Sequence, residues 1–247
     1  MSGAGATFAD VRRFATLDST NRHALELARQ GVPEGLVVVA DHQTAGRGRL
    51  GRSWEAPPGS SLLMSMLLRP SLAPERLHLT TVAVALAAAD ACEEVAGFRP
   101  ALKWPNDLVV DDRKLGGILA EVPGPGAVVV GLGLNVTWSQ PPDGLEAIGV
   151  AMNQVAGAGV DRERVLAAIL ANLERRYREL REAPDDLVTA YRRGCSTIGR
   201  DVRVELATGS FTGTAAEVTD EGHLVVDDAK GGRRVVAAGD VVHVRPG

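Results

Sequence analysis

Residues 43–54 read QTAGRGRLGRSW, and this glycine- and arginine-rich stretch decides which folds the chain can adopt. Its glycines satisfy the G-x-G-x-x-G spacing of dinucleotide-binding folds, but that motif needs a helix directly after it to hold the pyrophosphate. Residues 52–59 (RSWEAPPG) cannot begin a helix promptly, because they contain two adjacent prolines and a glycine. The sequence also lacks the G-x-x-x-x-G-K-[ST] pattern of a P-loop. The stretch therefore excludes a Rossmann fold and indicates a glycine-hinged loop.

Three arginines give this loop its chemistry. Arg47, Arg49 and Arg52 can form the planar, two-pronged hydrogen bonds that match carboxylate and phosphate oxygens. The alternative is an ordinary solvated basic loop. Trp54 favours a ligand site, because a chain with three tryptophans rarely places one beside a basic loop with nothing to cover. Gln43 adds a neutral donor and acceptor.

A second polar cluster follows in residues 103–107 (KWPND) and 114–121 (KLGGILAE). Of the 27 basic residues only three are lysine and 24 are arginine, so a lysine in this chain suggests specific chemistry. The paired glycines after Lys114 would let a ligand approach the main chain. Asp107 is a candidate for a metal or a ribose, and Asn106 for a polar anchor. The alternative is a surface hairpin with ordinary charges.

Two further motifs are weaker. Residues 131–135 (GLGLN) form an apolar strand whose glycines again permit close approach and which ends in Asn135. Residues 19–21 (STN) stand at a predicted helix start, where capping explains them without a ligand. Every strong ligand motif precedes Val136, so we expect the C-terminal part to serve an acceptor or the nucleotide-side loops.

Composition and charge narrow the functional class. The chain has 247 residues, of which 45% are hydrophobic and 23% charged, as in a globular protein. Its formal net charge of −4 provides no overall positive field for nucleic acid. Two widely separated cysteines, Cys92 and Cys195, fit a reducing compartment. We expect no membrane partner and a cytoplasmic location, because the longest apolar run (residues 82–89) is short and no signal peptide is visible.

The hydrophobic pattern predicts two parts. The first mixes helices and strands, and the second, after Gly199, has short alternating segments typical of a small β-barrel or sandwich. The polar side of one amphipathic helix, which carries Glu174, Arg175, Arg176 and Arg178, is interpreted as a solvated face. The predicted helices are residues 21–30, 74–96, 166–180 and 186–193, and the predicted early strands are residues 36–40 and 62–68.

Four segments together resemble the biotin protein ligase family: residues 19–21, 43–54, 103–107 and 114–119, which occur in the order typical of that family. The resemblance implies an α+β fold with a mixed sheet and flanking helices, similar to the class II aminoacyl-tRNA synthetase core, plus a small C-terminal Src-homology-type β-barrel. It implies a catalytic domain over residues 1–198 and the barrel over residues 199–247.

The resemblance also implies an activity. The family joins biotin and ATP, with Mg²⁺, into biotinyl-5′-AMP and then transfers biotin to a lysine of the biotin carboxyl carrier domain of a biotin-dependent carboxylase. By resemblance the residues at the reacting centre are Lys114, Arg47 and Asp107, and Asp107 is also the implied Mg²⁺ ligand. The biotin-binding residues are Ser19, Thr20, Asn21, Gln43, Gly46, Arg47, Gly48, Arg49, Lys114, Gly117 and Leu119. The nucleotide-binding residues are Arg49, Arg52, Trp54, Asn106, Asp107, Lys114 and Asn135.

The sequence departs from the family at two points. Only 18 residues precede Ser19, so we expect no N-terminal DNA-binding domain and no DNA partner. Leu50 stands where some relatives have an arginine. The alternative functions are a lipoate–protein ligase of the same fold and a non-catalytic biotin-binding regulator.

One dynamic expectation concerns the arginine-rich loop. Its glycines make order costly, and its arginines have no evident acidic partners in the neighbouring sequence. We therefore expect residues 46–53 to be mobile without ligand and ordered with the adenylate.

Overall fold

A computed structural model describes residues 7–206, 208–228, 231–237 and 239–244. The first part of the chain contains β1 (Asp10–Leu17), α1 (Thr20–Arg29), β2 (Leu36–Gln43), β3 (Ser61–Leu68), α2 (Leu79–Ala96), β4 (Ala101–Lys103), β5 (Asp107–Val110), β6 (Arg113–Gly124), β7 (Ala127–Asn135), α3 (Met152–Ala156), α4 (Arg162–Glu182) and α5 (Pro184–Gly194). The second part contains β8 (Asp201–Leu206), β9 (Gly209–Val218), β10 (Leu224–Asp228), β11 (Arg233–Val236) and β12 (Asp240–His243).

A seven-stranded mixed sheet organises the first part, in the order β1-β2-β3-β7-β6-β5-β4. β1 and β2 are parallel, and the other neighbouring strands pair antiparallel. β3 is buried along its whole length, because its apolar run is covered on both faces. α1 packs one face through Ala24 and Leu25, while α2 and α4 cover the other. The N-terminus of α1 therefore lies beside the ends of several strands and the loops between them.

Two details of the helices correct the sequence interpretation. The helix expected to open at Pro74 is split into a short turn, Pro74–Arg76, and α2 from Leu79. The turn closes through bonds to the third residue back, such as Leu77 N–H to Pro74 O, a tighter helix type that rarely continues. The prediction that residues 174–178 form a solvated face is wrong at Arg176, which is buried and pairs with Asp90 of α2 at 2.8 Å.

The second part is a five-stranded antiparallel sheet in the order β11-β10-β9-β8-β12. Its apolar side chains, including Val202 and Leu224, belong to the same hydrophobic cluster as Leu79 and Trp104 of the first part. The Trp104 indole also donates a 3.0 Å hydrogen bond to Gly222 O. The sheet begins close to the predicted boundary at residues 198/199, and the assignment of two domains there stays a prediction.

The described residues contain no helix that is both long and apolar enough to cross a membrane.

Candidate functional site

A cavity of about 100 Å³ opens where the N-terminus of α1, the residue 44–60 loop and strands β6 and β7 meet. The predicted residues that line it are Ser19, Thr20, Asn21, Gln43, Arg47, Gly48, Arg49, Arg52, Trp54, Asn106, Asp107, Lys114, Gly117 and Leu119. The structure therefore brings together four segments that are far apart in sequence.

One end of the cavity is a neutral hydrogen-bonding network. Gln43 Oε1 accepts from the backbone N–H of Thr20 at 2.7 Å and from its hydroxyl at 2.9 Å. Ser65 Oγ lies 2.8 Å from Thr20 Oγ1 and 2.6 Å from Asn21 Oδ1. Ser19, Thr20 and Asn21 are buried, so these groups are fixed before any ligand arrives. Such an end suits an uncharged ligand group with both donors and acceptors.

Two residues that support this end without lining the cavity were not identified from the sequence. Ser65 lies inside the apolar run of β3, where a lone serine resembles a core residue, although that polar interruption is the signal that could have found it. Glu121 of β6 accepts from Asn21 Nδ2 at 2.9 Å, and Asn21 also donates to Leu119 O at 3.1 Å. Gly131 of β7 makes room for this amide, because a Cβ there would overlap Asn21 Oδ1.

The opposite end is cationic. Lys114 Nζ lies 2.8 Å from Asp107 Oδ1 and 5.5 Å from the centroid of the Trp54 ring. Arg49 donates to Asn106 Oδ1 and to Gly239 O, each at 3.1 Å. Burial lowers the pKa of Arg49 despite the opposing charges of Asp240 and Asp107, and the guanidinium remains charged at neutral pH. A carboxylate or phosphate at this end would meet several fixed positive charges.

The loop arginines do have acidic or carbonyl partners, contrary to the sequence interpretation. Arg47 Nη1 lies 3.1 Å from Glu121 Oε1, and Arg52 pairs with Asp240 of β12. These partners are distant in sequence, which is why inspection of neighbouring residues missed them. The lack of acidic partners, one of the two reasons for expecting a mobile loop, is therefore wrong, and the mobility of the loop stays a prediction.

The glycines of β6 and β7 accommodate Trp54 in this structure. A Cβ on Gly133 would meet the indole at 2.5 Å, and one on Gly117 would meet both Trp54 and Lys114 Nζ at 3.1 Å. The close approach predicted for a ligand is thus made here by a tryptophan side chain. Trp54 therefore lines the cavity together with Gly117 and Gly133.

Two predicted residues do not line this cavity. Gly46 lies in the loop backbone, where its carbonyl accepts from Trp54 N–H at 3.0 Å. Asn135 is buried and donates to Val150 O at 3.1 Å, and it lines a neighbouring cavity of about 240 Å³ with Trp54 and Trp138. The amide nitrogen of Asn135 is thus engaged with Val150, and its amide oxygen accepts from the Ser61 hydroxyl.

Asp107 brings a carboxylate to the cavity, which is a type of ligand that Mg²⁺ takes in proteins. The described residues contain no cluster of three or more His, Cys, Asp or Glu side chains. Mg²⁺ commonly uses one or two protein carboxylates together with substrate phosphates, so a single carboxylate beside a phosphate site fits that ion. The Asp107 side chain is 23% exposed and can be reached from the cavity.

Comparisons with known proteins agree across the chain. The model of the biotin/lipoate A/B protein ligase family matches residues 14–135, and that of the biotin protein ligase C terminal domain matches residues 197–244. The biotin–[acetyl-CoA-carboxylase] ligase of Mycobacterium tuberculosis is 40% identical over 250 residues, which cover 98% of this chain and 92% of that protein. The bifunctional ligase/repressor BirA of Bacillus subtilis is 37% identical over 233 residues, which cover 90% of this chain and 70% of that protein.

The fold has a close counterpart among solved structures. The biotin protein ligase of Aquifex aeolicus in complex with biotin and ATP superposes with a TM-score of 0.85 at 26% identity, covering 97% of this chain and 100% of that one. This likeness confirms the predicted fold class, a mixed sheet with flanking helices followed by a small C-terminal β-domain.

Proposed function

The chain belongs to the biotin protein ligases of the biotin/lipoate A/B protein ligase family, and from that premise we propose how its cavity works. The protein is a ligase that activates biotin with ATP to biotinyl-5′-AMP, releasing pyrophosphate. It then transfers biotin to a lysine of a biotin carboxyl carrier domain, releasing AMP. The observation that carries the proposal is one cavity with a neutral, buried network at one end and fixed cations at the other.

The neutral network suits the ureido ring of biotin. That ring carries two N–H donors and one carbonyl acceptor and has no charge. Thr20 and Gln43 line the cavity and supply hydroxyl and amide groups that can match it, and they are held by each other and by Ser65 behind them. A preorganised set of this kind loses little conformational freedom when the ligand binds.

The cationic end suits the reacting groups. In the first step a biotin carboxylate oxygen attacks the α-phosphorus of ATP and pyrophosphate leaves, so two anions must meet. Lys114 and Arg47 supply positive charge for this encounter, and Asp107 orients the Lys114 ammonium. In the second step the amine of the carrier lysine attacks the carbonyl of the mixed anhydride and AMP leaves. Neither step requires a Ser, Cys or His nucleophile of the protein.

Mg²⁺ bound at Asp107 would supply charge neutralisation for the phosphates of ATP. The loop and Trp54 would limit the access of water to the mixed anhydride, which hydrolyses when wet. A cytoplasmic location fits this activity, since ATP and the carrier domain are both required.

The test is biotin-dependent ATP–pyrophosphate exchange, followed by incubation with a carrier domain and mass analysis. We expect exchange with biotin and a mass increase of one biotin on the carrier. Exchange with lipoate in place of biotin would instead identify a lipoate–protein ligase. Biotin binding without exchange would identify a non-catalytic regulator.

A further inference from the structure

We propose that Glu121 is a positioning residue, which acts through Arg47 and Asn21 to hold the arginine-rich loop over the bound adenylate. The proposal rests on the ligase activity proposed above. Glu121 lies on β6, two residues beyond Leu119, at the point where the strand leaves the cavity wall.

The two carboxylate oxygens of Glu121 serve two different elements. Oε1 lies 3.1 Å from Arg47 Nη1 in the loop, and Oε2 accepts from Asn21 Nδ2 in the first turn of α1 at 2.9 Å. The side chain is 21% exposed, so its charge is partly shielded from water. One side chain therefore ties the loop and the ureido end of the cavity to the same strand.

Asn21 is itself held in place by other groups, so Glu121 contacts a fixed partner. Its amide is fixed on the other side by Ser65 and by Leu119 O, and it occupies the space that Gly131 leaves free. Glu121 completes this arrangement, because its Oε2 accepts from the amide nitrogen that also serves the strand. Arg47 is held against a rigid neighbour rather than against a freely rotating surface group.

A carboxylate beside an anion-binding cavity has an electrostatic cost. Its negative charge repels the biotin carboxylate and the phosphates, although the ion pair with Arg47 offsets part of that repulsion. A residue that only strengthened ligand binding would not be acidic here. The arrangement is explained if the carboxylate fixes where Arg47 points and the loop then limits escape of the adenylate.

Loss of the Glu121 contact should speed the escape of bound biotinyl-AMP more than it slows the formation of biotinyl-AMP. The loop contains Gly46, Gly48 and Gly51, so an unanchored loop gains much backbone freedom. The end of the loop nearer Trp54 stays tied through Arg49 and Arg52 to the C-terminal sheet. We expect Glu121→Gln to keep pyrophosphate exchange within about threefold while preformed biotinyl-AMP escapes about tenfold faster, which is ~1.4 kcal/mol.

The matched control is Glu163→Gln. Glu163 also pairs with an arginine, Arg13, at 2.7 Å, but both side chains are more than half exposed and neither lines the main cavity. Three quantities are measured: hydrogen exchange of residues 46–53 without ligand, the rate at which preformed biotinyl-AMP is lost to solution, and exchange at saturating biotin and ATP. We expect faster hydrogen exchange and faster adenylate loss in Glu121→Gln alone.

The Arg47→Ala variant tests whether Glu121 acts through Arg47. In Arg47→Ala, adding Glu121→Gln should not accelerate adenylate loss further if Glu121 acts through Arg47. If Glu121→Gln does not fold, Glu121→Asp, which keeps the charge but withdraws it from Arg47 and Asn21 on a shorter side chain, takes its place.

Equal hydrogen exchange of the loop in Glu121→Gln and in the parent protein would overturn the proposal, as would unchanged adenylate loss. A parent protein without biotin-dependent exchange would overturn the proposed function and the adenylate part of this inference. The ligand-free hydrogen exchange would still decide whether Glu121 anchors the loop, so the two failures can be told apart.

Discussion

Gly131 shows how one missing side chain shapes the cavity. The space that a Cβ would need is taken by the Asn21 amide, which Ser65, Leu119 O and Glu121 hold in place. A glycine inside a strand weakens that strand, so it fits where another group must approach closely. The neutral end of the cavity depends on this approach.

Gly131→Ala should therefore displace Asn21 and damage the ureido end. We expect biotin affinity to fall at least about tenfold and the free energy of unfolding to fall by about 1–3 kcal/mol, as for an overpacked core. Gly124→Ala is the control, because a Cβ at Gly124 meets no atom within 4 Å. Calorimetric titration with biotin and urea unfolding give the two quantities. Unchanged biotin affinity in Gly131→Ala would show that Asn21 does not contribute to the site.

Lys114→Arg should leave the fold intact and impair adenylate formation. Lys114 reaches across Gly117 toward Asp107 and Trp54, and a wider, planar guanidinium does not fit that path. Loss of one preorganised charge typically costs about 10²–10³ in rate, and we expect that order in biotin-dependent pyrophosphate exchange. Lys230→Arg is the control by sequence, and Lys230 lies outside the described residues. Near-normal exchange at saturating substrates would remove Lys114 from the reacting centre.

Single residues also show which parts of the site could be predicted from the sequence and which could not. Residue type and the scarcity of lysine made the loop arginines, Lys114 and Asp107 candidates, and the family resemblance assigned Arg47, Lys114 and Asp107 to the reacting centre. Ser65 left only a weak signal, a polar residue in an apolar strand, and Glu121 left none, because its role depends on partners that only the fold brings together. The direction of Trp54, against Gly133, is likewise a property of packing.

At the scale of elements, α2 and α4 are joined by a buried ionic cluster. Asp90 of α2 pairs with Arg176 and Arg175 of α4 and with Arg99, at 2.7–2.8 Å. The amphipathic pattern predicted both helices, because apolar spacing is a local property. It missed the burial of Arg176, because charge alone does not show which polar residue faces a neighbouring helix.

Asp90→Asn should destabilise the protein by about 2–3 kcal/mol, because Arg176 would keep its buried charge with one fewer anionic partner. Glu93→Gln is the control on the same helix: Glu93 also pairs with Arg99, but its side chain is 58% exposed, so we expect a change within about 0.5 kcal/mol. Urea unfolding at pH 7 measures both. Equal stability of the two variants would show that the cluster contributes no more than a surface pair.

The same cluster predicts a pH dependence with a definite sign. Burial alone would raise the pKa of Asp90, but hydrogen bonds and charges from Arg176 and Arg99 outweigh it and lower the pKa below 3.8. The stabilisation is therefore present above the unfolded pKa and is lost as pH falls through the folded pKa. The parent protein should lose its advantage over Asp90→Asn below about pH 4. A constant difference between them down to pH 2 would contradict this assignment.

At the scale of the whole molecule, the two sheets share one hydrophobic core and one cavity. Val202 and Leu224 pack in the same cluster as Leu79 and Trp104, and Asp240 lines the main cavity beside Arg52. The sequence predicted a separate small β-domain from alternation and turns. It assigned that domain to the acceptor or the nucleotide-side loops because every strong ligand motif precedes Val136, and no residue-type signal marks Asp240 as part of the cavity.

Asp240→Asn tests whether the C-terminal sheet fixes the loop from the far side. Asp240 pairs with Arg52, and the preceding carbonyl of Gly239 accepts from Arg49, so this sheet touches two of the three loop arginines. Arg52 is 63% exposed, so the pair contributes modestly, and we expect KM for ATP to rise about three- to fivefold with little change in stability. Asp227→Asn is the control, because Asp227 pairs with Arg233 at 2.8 Å at an exposed position of the same sheet.

Since Glu121 holds the loop near Arg47 and Asp240 holds it near Arg52, Asp240→Asn combined with Glu121→Gln should raise the rate of adenylate loss above that of either variant. Pyrophosphate exchange and adenylate loss are measured in the two Asp variants, in Glu121→Gln and in the double variant. An ATP KM in Asp240→Asn equal to that of Asp227→Asn would show that the loop is positioned by the catalytic sheet alone.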